Sequence, residues 1–239
     1  MTSFYQQLSV YYDQIFSFDE QELDFIARQM GHCEHLLDVG CATGAKTAAF
    51  TRFAQSIVGL DSDPAMVSIA QDKHSARNVS YLLGDMQKLD AKFANESFDG
   101  LLCLGNTLVH AADADAIGRL ITLMGQMLSA EGRCMLQIVN YDRIIQQNID
   151  FLPTIETRDV SFERKYVWQG QELHFVTNLR LKATNEVLHN DVMLYPLLRM
   201  QLEAMLLNAG LGNLAWFGSY GGEQYSGNSF STIVVAHKN

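Results

Sequence analysis

Leu36-Leu37-Asp38-Val39-Gly40-Cys41-Ala42-Thr43-Gly44 decides how the rest of the chain is read. The apolar run ending at Val39 has the pattern of a buried strand end. The glycines then turn the chain into Ala45-Lys46-Thr47-Ala48-Ala49-Phe50, a helical sequence. A strand, a tight turn and a helix enclose a crevice between the strand's end and the helix N-terminus. Gly40 and Gly44, lacking side chains, are expected to let a ligand approach the backbone there. A bound small molecule is the first expectation.

Upstream, residues 3–30 read as two helices split around Phe16-Ser17-Phe18, with Ser17 or Asp19 as cap of the second. Downstream the pattern alternates. A helix is expected to about Ala54, a strand over Ser56 to Leu60, a helix opening at Asp63-Pro64, and a strand over Val79 to Leu83. Phe98 to Leu104 makes a fourth strand. A helix with Ile117, Leu120, Ile121, Met124 and Leu128 on one side follows, then a fifth strand over Arg133 to Val139. Period two then takes over in three runs: Val160 to Trp168, Leu173 to Leu181 and Glu186 to Tyr195, with turns near Gly170 and at Thr184-Asn185. These predict an antiparallel three-stranded insertion, within residues 150–195, covering the ligand edge of the sheet. A helix with Leu198, Leu202, Met205 and Leu206 stops at Gly210, and two strands, Leu211 to Gly218 and Ser231 to His237, complete the sheet. The expectation is one α/β domain over residues 1–239: helical cover (1–33), mainly parallel core (34–140), insertion, and C-terminal helix with strand pair (196–239).

Composition narrows the function. The chain has 239 residues, 48% of them hydrophobic, enough for a sizeable core. Its 27 acidic against 17 basic residues give a net charge of −10, with no run of Lys or Arg, which argues against nucleic acid. No apolar run reaches membrane-spanning length, and the polar N-terminus lacks a leader pattern, so a soluble cytoplasmic protein is expected. Cys33, Cys41, Cys103 and Cys134 have no metal-ligand spacing and read as buried free thiols; no metal is implied.

A nucleotide crevice of this kind calls for an acidic residue at the end of the second strand, where a carboxylate accepts both ribose hydroxyls. Asp61 stands there, while Asp63, beside Pro64, suits a helix cap. The dinucleotide fingerprint G-x-G-x-x-G is not met, which disfavours a nucleotide-dependent oxidoreductase. Asp38 followed by Gly40-Cys41-Ala42-Thr43-Gly44 instead resembles the first motif of the class I S-adenosylmethionine-dependent methyltransferases, an acidic residue followed by G-x-G-x-G, with Ala42 in place of one glycine.

The resemblance continues in order along residues 34 to 140. Gly59-Leu60-Asp61-Ser62-Asp63-Pro64-Ala65-Met66 is similar to the family's ribose-binding second motif. Gly84-Asp85-Met86 is similar to the segment in which an Asp meets the adenine amino group and the next residue covers the ring. Phe98 to Asn106 resembles the fourth-strand motif beside the methionine and methyl groups. This resemblance implies a Rossmann-like, mainly parallel seven-stranded sheet with helices on both faces. It implies S-adenosylmethionine as cofactor, S-adenosylhomocysteine as product, and Asp38, Gly40, Cys41, Ala42, Gly44, Asp61, Ser62, Met66, Asp85, Met86, Leu104 and Gly105 as cofactor residues. Leu104 to His110 and Asn140-Tyr141-Asp142 look like the glycine and sarcosine N-methyltransferase branch, although Val139 stands where glycine-methylating relatives place an arginine for the substrate carboxylate. Arg143 or Arg164 is the alternative cation.

For such a donor the enzyme positions a nucleophile in line and excludes water, and an amine must also lose a proton. The expected reaction is methyl transfer to a small-molecule acceptor; a catalytically silent binding regulator is the alternative reading, and a homodimer stays open. Tyr12, Asn106 and His110 are the catalytic candidates, and Tyr5, Tyr141, Arg143, Arg164 and Tyr166 the substrate contacts, with Tyr11 beside them. Each has a plainer reading: ring packing for the tyrosines, a helix cap for His110, a solvated cation for the arginines.

Overall fold

The computed structural model describes residues 4–93 and 97–239; residue 3, where the first helix was expected to open, lies outside them. Helix α1 (Phe4–Ile15) and helix α2 (Glu20–Met30) cover the front of the molecule. Of the two cap candidates Asp19 serves, its carboxylate accepting the Glu22 N–H at 2.9 Å. Strand β1 (Cys33–Val39), α3 (Ala45–Ala49), β2 (Ala54–Asp61), α4 (Pro64–His74), β3 (Val79–Leu83), α5 (Leu89–Lys92), β4 (Phe98–Cys103), α6 (Ala114–Met127) and β5 (Leu128–Val139) alternate; the one-turn α5 is additional to the expected elements, and Leu128, expected on the helix, opens β5 five residues before Arg133. Helix α3 is shorter than its sequence pattern because the chain tightens into a single 3₁₀ turn at Phe50–Arg52 before β2.

A short helix, α7 (Tyr141–Gln146), leads into β6 (Phe151–Glu156), β7 (Val160–Gln169), β8 (Glu172–Leu181) and β9 (Val187–Leu194), and the chain closes with α8 (Arg199–Asn208), β10 (Leu211–Phe217) and β11 (Ser231–Lys238). The main sheet has the order β10-β11-β5-β4-β1-β2-β3. The β1, β2, β3, β4 and β5 pairings are parallel, and only β11 runs antiparallel to its neighbours. The direction of winding reverses at β1, between β4 and β2, which opens a crevice outside the C-terminal ends of β1 and β4.

Alternate residues of the central strands feed two cores. Leu36 packs with Phe25, Ile26, Ile57 and Val67 on one face, whereas Leu37 and Val39 join α6 and α8 residues on the other. Burial on both faces is why Leu36 and Leu37 are consecutive and both fully inaccessible.

The insertion is a four-stranded antiparallel sheet of order β6-β7-β8-β9, not the three strands expected. Pro153 hides β6 in the sequence, since proline cannot donate to a ladder. It is accommodated here on an edge strand, at a register shift between Leu152 and Ile155. Val160, Phe162, Leu179 and Leu181 of this sheet pack with Leu8 and Ile15 of α1 and with Met66, and Ala42 of the glycine loop touches the same cluster. The insertion is therefore a lid seated over the crevice.

Candidate functional site

The glycine loop is held by internal packing. Gly40 and Gly44 adopt φ of 82° and 78°, a region costly for any side chain. A Cβ on Gly40 would lie 2.5 Å from Thr107, and one on Gly44 would lie 2.6 Å from the Tyr81 ring. At both positions the missing side chain makes room for neighbouring protein. Gly105, at φ of 68°, is the loop glycine whose Cβ would meet nothing within 4 Å. Ala42 takes φ of 48° without being glycine, and its N–H is fixed at 2.9 Å by the Asp61 carboxylate.

Three carboxylates divide the work around that loop. Asp63 caps α4, one oxygen accepting the N–H groups of Ala65 and Met66. Asp38 is buried and accepts the Thr47 hydroxyl at 2.6 Å, tying β1 to α3. Desolvation pushes its pKa up to about 6, against the Thr47 hydrogen bond and the nearby Lys46. Asp61 is half-buried at the end of β2, with Oδ2 on the Ala42 N–H and Oδ1 on the Asp63 N–H, each at 2.9 Å. Each oxygen keeps a further lone pair. Its pKa is raised, chiefly by desolvation, though backbone hydrogen bonds from Asp63, Ala42 and Ser62 oppose this.

Helix α1 closes over these groups. Thr43 donates to Asp13, and Tyr12 packs in the cluster beneath the lid. The Tyr12 hydroxyl is pushed well up by desolvation and then by the Asp61 charge, so it stays protonated. Tyr5 is hydrogen-bonded to Asn190 of β9, and Tyr11 joins the same cluster.

At the end of β4, Asn106 turns the chain at φ of 69°. Its Oδ1 accepts the Val139 N–H at 3.0 Å, and its Nδ2 donates to the Tyr141 hydroxyl at 3.1 Å. Tyr141 is fully buried, and its ring lies 6.3 Å from that of Tyr166 on the lid. Asn140 caps α7 and also donates to the carbonyls of Ser226 and Ser229, while Asp142 accepts the Arg199 N–H. Within Asn140-Tyr141-Asp142, only the middle residue faces the lid tyrosine; its neighbours hold the C-terminal segments.

The remaining candidates separate. His110 ends the turn Thr107–His110, and Asp113, not His110, caps α6. Its imidazole is exposed, and desolvation lowers its pKa. Arg143 lies over the Phe230 ring. Arg164 and Tyr166 sit on the inner face of the lid. Asp85 caps a short 3₁₀ turn and is exposed, with Met86 half-buried behind it; Leu104 is buried and Ser62 exposed. Cys41 is a buried free thiol like the other three cysteines, and burial pushes its pKa well up. Thr177 and Asn190 share the inner lid face with Arg164, and no motif marks them. Cross-strand register reveals them, and register is set by pairing.

Residues 36–132 match the family described as a methyltransferase domain. A crystal structure of an S-adenosylmethionine-dependent methyltransferase from Clostridium acetobutylicum superposes with a TM-score of 0.83, covering 98% of this chain and 99% of that one at 15% identity. The fold is that of the S-adenosylmethionine-dependent methyltransferases. Among curated relatives, a cypemycin N-terminal methyltransferase from a Streptomyces species is 23% identical over 85% of this chain and 82% of its own length. A glycine/sarcosine N-methyltransferase from Parasynechococcus marenigrum is 29% identical over 53% of this chain and 46% of its own. The chain spans about a third of the length of the curated relatives with which it shares its highest identities. Beyond the methyltransferase segment, the lid and the C-terminal strand pair are matched by fold. No helix among the described residues is long and apolar enough to cross a membrane.

Proposed function

We propose that this protein transfers a methyl group from S-adenosylmethionine to a small-molecule acceptor, at an amine nitrogen. The observation that carries the reading is Asp61: a carboxylate at the end of β2, oriented by two backbone N–H groups of 2.9 Å, with lone pairs left for a ribose diol. The open cradle over Gly105, at the end of the neighbouring β4, fits the rest of such a ligand. The cofactor supplies an activated methyl on a sulfonium, so the chain's residues need only bind, orient and exclude water. In this reading Gly40, Ala42 and Gly44 shape the loop, Asp38 supports it from beneath, and Asp85, Met86, Leu104, Ser62 and Met66 complete the donor's walls.

Tyr12 and the lid close the site to water, while Asn106 and Tyr141 orient the acceptor. His110, kept neutral at pH 7 by its lowered pKa, is available to take the proton released when the amine becomes methylated. The nitrogen acceptor is supported by the two N-methylating relatives and by the Asn106–Tyr141 pair, and the strongly acidic chain argues against nucleic acid. The test is S-adenosylhomocysteine formation with a panel of amines, phenols and carboxylic acids, alongside thermal shifts with S-adenosylhomocysteine and NADH. Turnover with amines and a shift with S-adenosylhomocysteine are expected. Cofactor binding without turnover on any acceptor would instead favour a regulator, and a shift with NADH alone would remove the reading.

A further inference from the structure

Strand β10 is an edge of the main sheet, and the chain turns back along that edge. The Tyr225 N–H donates to the Trp216 carbonyl at 3.3 Å, and Gln224 bridges Phe217. Between the edge, this returning segment and the start of α8 lies a cavity of about 580 Å³, lined by Arg199, residues 214–217, Gln224, Tyr225 and Ser226; small-ligand sites occupy about 300–1,000 Å³. Successive strand residues point to opposite faces, so a cavity that touches four in a row opens at the strand's edge and not into either core. None of its lining residues belongs to the donor crevice. The two regions share only the start of α7: Tyr141 turns to the lid tyrosine, whereas Asn140 Oδ1 and Asp142 Oδ2 lie 3.1 and 3.2 Å from the Tyr225 hydroxyl.

The cavity is amphipathic. The Arg199 guanidinium lies 4.6 Å from the centre of the Trp216 ring and 5.8 Å from that of Tyr225, with the two rings 6.5 Å apart. Stacking on the indole fixes the plane of the guanidinium and leaves its N–H fork pointing outward in that plane. Glu203, one turn further along α8, meets Nη2 alone, at 3.3 Å, and Nε and Nη1 have no partner among the described residues. Both side chains of that pair are partly exposed, at 30% and 35%; such pairs contribute little, so an incoming oxyanion can displace Glu203. Asp142 is already engaged, accepting the Arg199 N–H at 2.9 Å as well as facing the Tyr225 hydroxyl. The first turn of α8 carries no acidic residue, and its positive end adds to the guanidinium. Beside this cation, Leu214 and Trp216 are only half-buried, an apolar wall next to the Gln224 amide.

We propose that the cavity at the β10 edge is a second ligand site, separate from the methyl-transfer crevice, and that it binds an amphipathic monocarboxylate. The carboxylate takes the free fork of Arg199 in exchange for Glu203, and the apolar body lies along Leu214 and Trp216. One guanidinium with Glu203 and Asp142 beside it balances a single added charge, which selects a monoanion over a phosphate dianion. A neutral ligand leaves the in-plane donors of Arg199 unanswered, and a cation meets the guanidinium itself. The site needs neither the donor nor the acceptor of methyl transfer, so it stands independently of that reading.

The test uses the full chain, phenylacetate as probe, and the variants Arg199→Met, Arg199→Lys and Glu203→Gln. By titration calorimetry phenylacetate should bind wild type at least about tenfold more tightly than Arg199→Met, with Arg199→Lys between them, since lysine keeps the charge but not the fork. Glu203→Gln should tighten binding roughly threefold by removing the competing carboxylate. Phenylacetamide, which lacks the charge, and acetate, which lacks the ring, should each bind wild type at least about tenfold more weakly. In a Trp168→Phe background Trp216 is the one tryptophan left, and its fluorescence should change as phenylacetate saturates. Saturating S-adenosylhomocysteine should leave phenylacetate affinity unchanged. Equal affinity of wild type and Arg199→Met, equal affinity for acid and amide, tighter binding of phenyl phosphate, no gain in Glu203→Gln, unchanged Trp216 fluorescence, or displacement of phenylacetate by S-adenosylhomocysteine would overturn the proposal. Should Arg199→Met not fold, the Glu203→Gln and phenylacetamide comparisons decide it. Failure of S-adenosylhomocysteine to bind would strike only the methyl-transfer reading.

Discussion

Replacing Asp61 by alanine separates the ribose role from the structural one. The carboxylate makes two bonds within the protein, to the N–H groups of Ala42 and Asp63, both at 2.9 Å, and is proposed to accept two ribose hydroxyls. Hydrogen bonds to a charged group contribute about 1.5–3 kcal/mol each. Losing the ribose pair should therefore cost at least about 3 kcal/mol, or roughly 150-fold in the dissociation constant of S-adenosylhomocysteine. Losing the internal pair leaves the Ala42 N–H, in a left-handed turn, without its acceptor, and by the same figure should lower folding stability by about 3 kcal/mol. Asp61→Asn keeps one carbonyl acceptor but places a donor where an acceptor stood, so it should fall between wild type and Asp61→Ala in affinity. Titration calorimetry measures the affinities and urea unfolding the stabilities. Because the Asp61 pKa is raised, wild-type affinity should fall with decreasing pH earlier than an ordinary aspartate would dictate, and the asparagine variant should lack that dependence. A folded Asp61→Ala protein that binds S-adenosylhomocysteine within threefold of wild type would refute the ribose assignment.

Two further outcomes follow from the loop and its support. Gly40→Ala places a Cβ 2.5 Å from Thr107 at positive φ and should destabilise by about 2–4 kcal/mol in urea unfolding. Gly105→Ala has the same backbone sign but open space around the Cβ, so it should cost only about 1 kcal/mol while weakening S-adenosylhomocysteine at least tenfold; equal losses of stability would contradict the packing contrast. Asp38 titrates at about 6 when folded against a reference of 3.8, so the folded state holds its proton more tightly. Relative to Asp38→Asn, wild type should lose about 3 kcal/mol of stability as pH rises from about 4 through about 6. Urea unfolding across that range checks it, and parallel pH profiles of the two proteins would rule it out.

The alternation of strands and helices was legible because parallel strands buried on both faces are nearly continuous apolar runs, and because Asp19 and Asp63 mark helix starts by local chemistry. Asp61 was legible for the same reason, standing at a strand end that its own neighbours define. The edge strand β6 was not, because Pro153 argues against a strand unless the edge position is known. Nor was the reason for the motif glycines, since Thr107 and Tyr81 approach them from distant parts of the chain.

By itself the sequence determined the crevice and its acidic residue, which depend on hydrophobic period, turn chemistry and caps within a few residues. Only the tertiary structure decided which polar groups meet beneath the lid. Arg164, Thr177 and Asn190 belong to three strands, and a shift of one residue in either pairing would turn one of them outward. Register, set by packing against α1 and α7, brings Arg164, Thr177 and Asn190 into one row on the inner face of the lid, and no local pattern in the chain records that meeting.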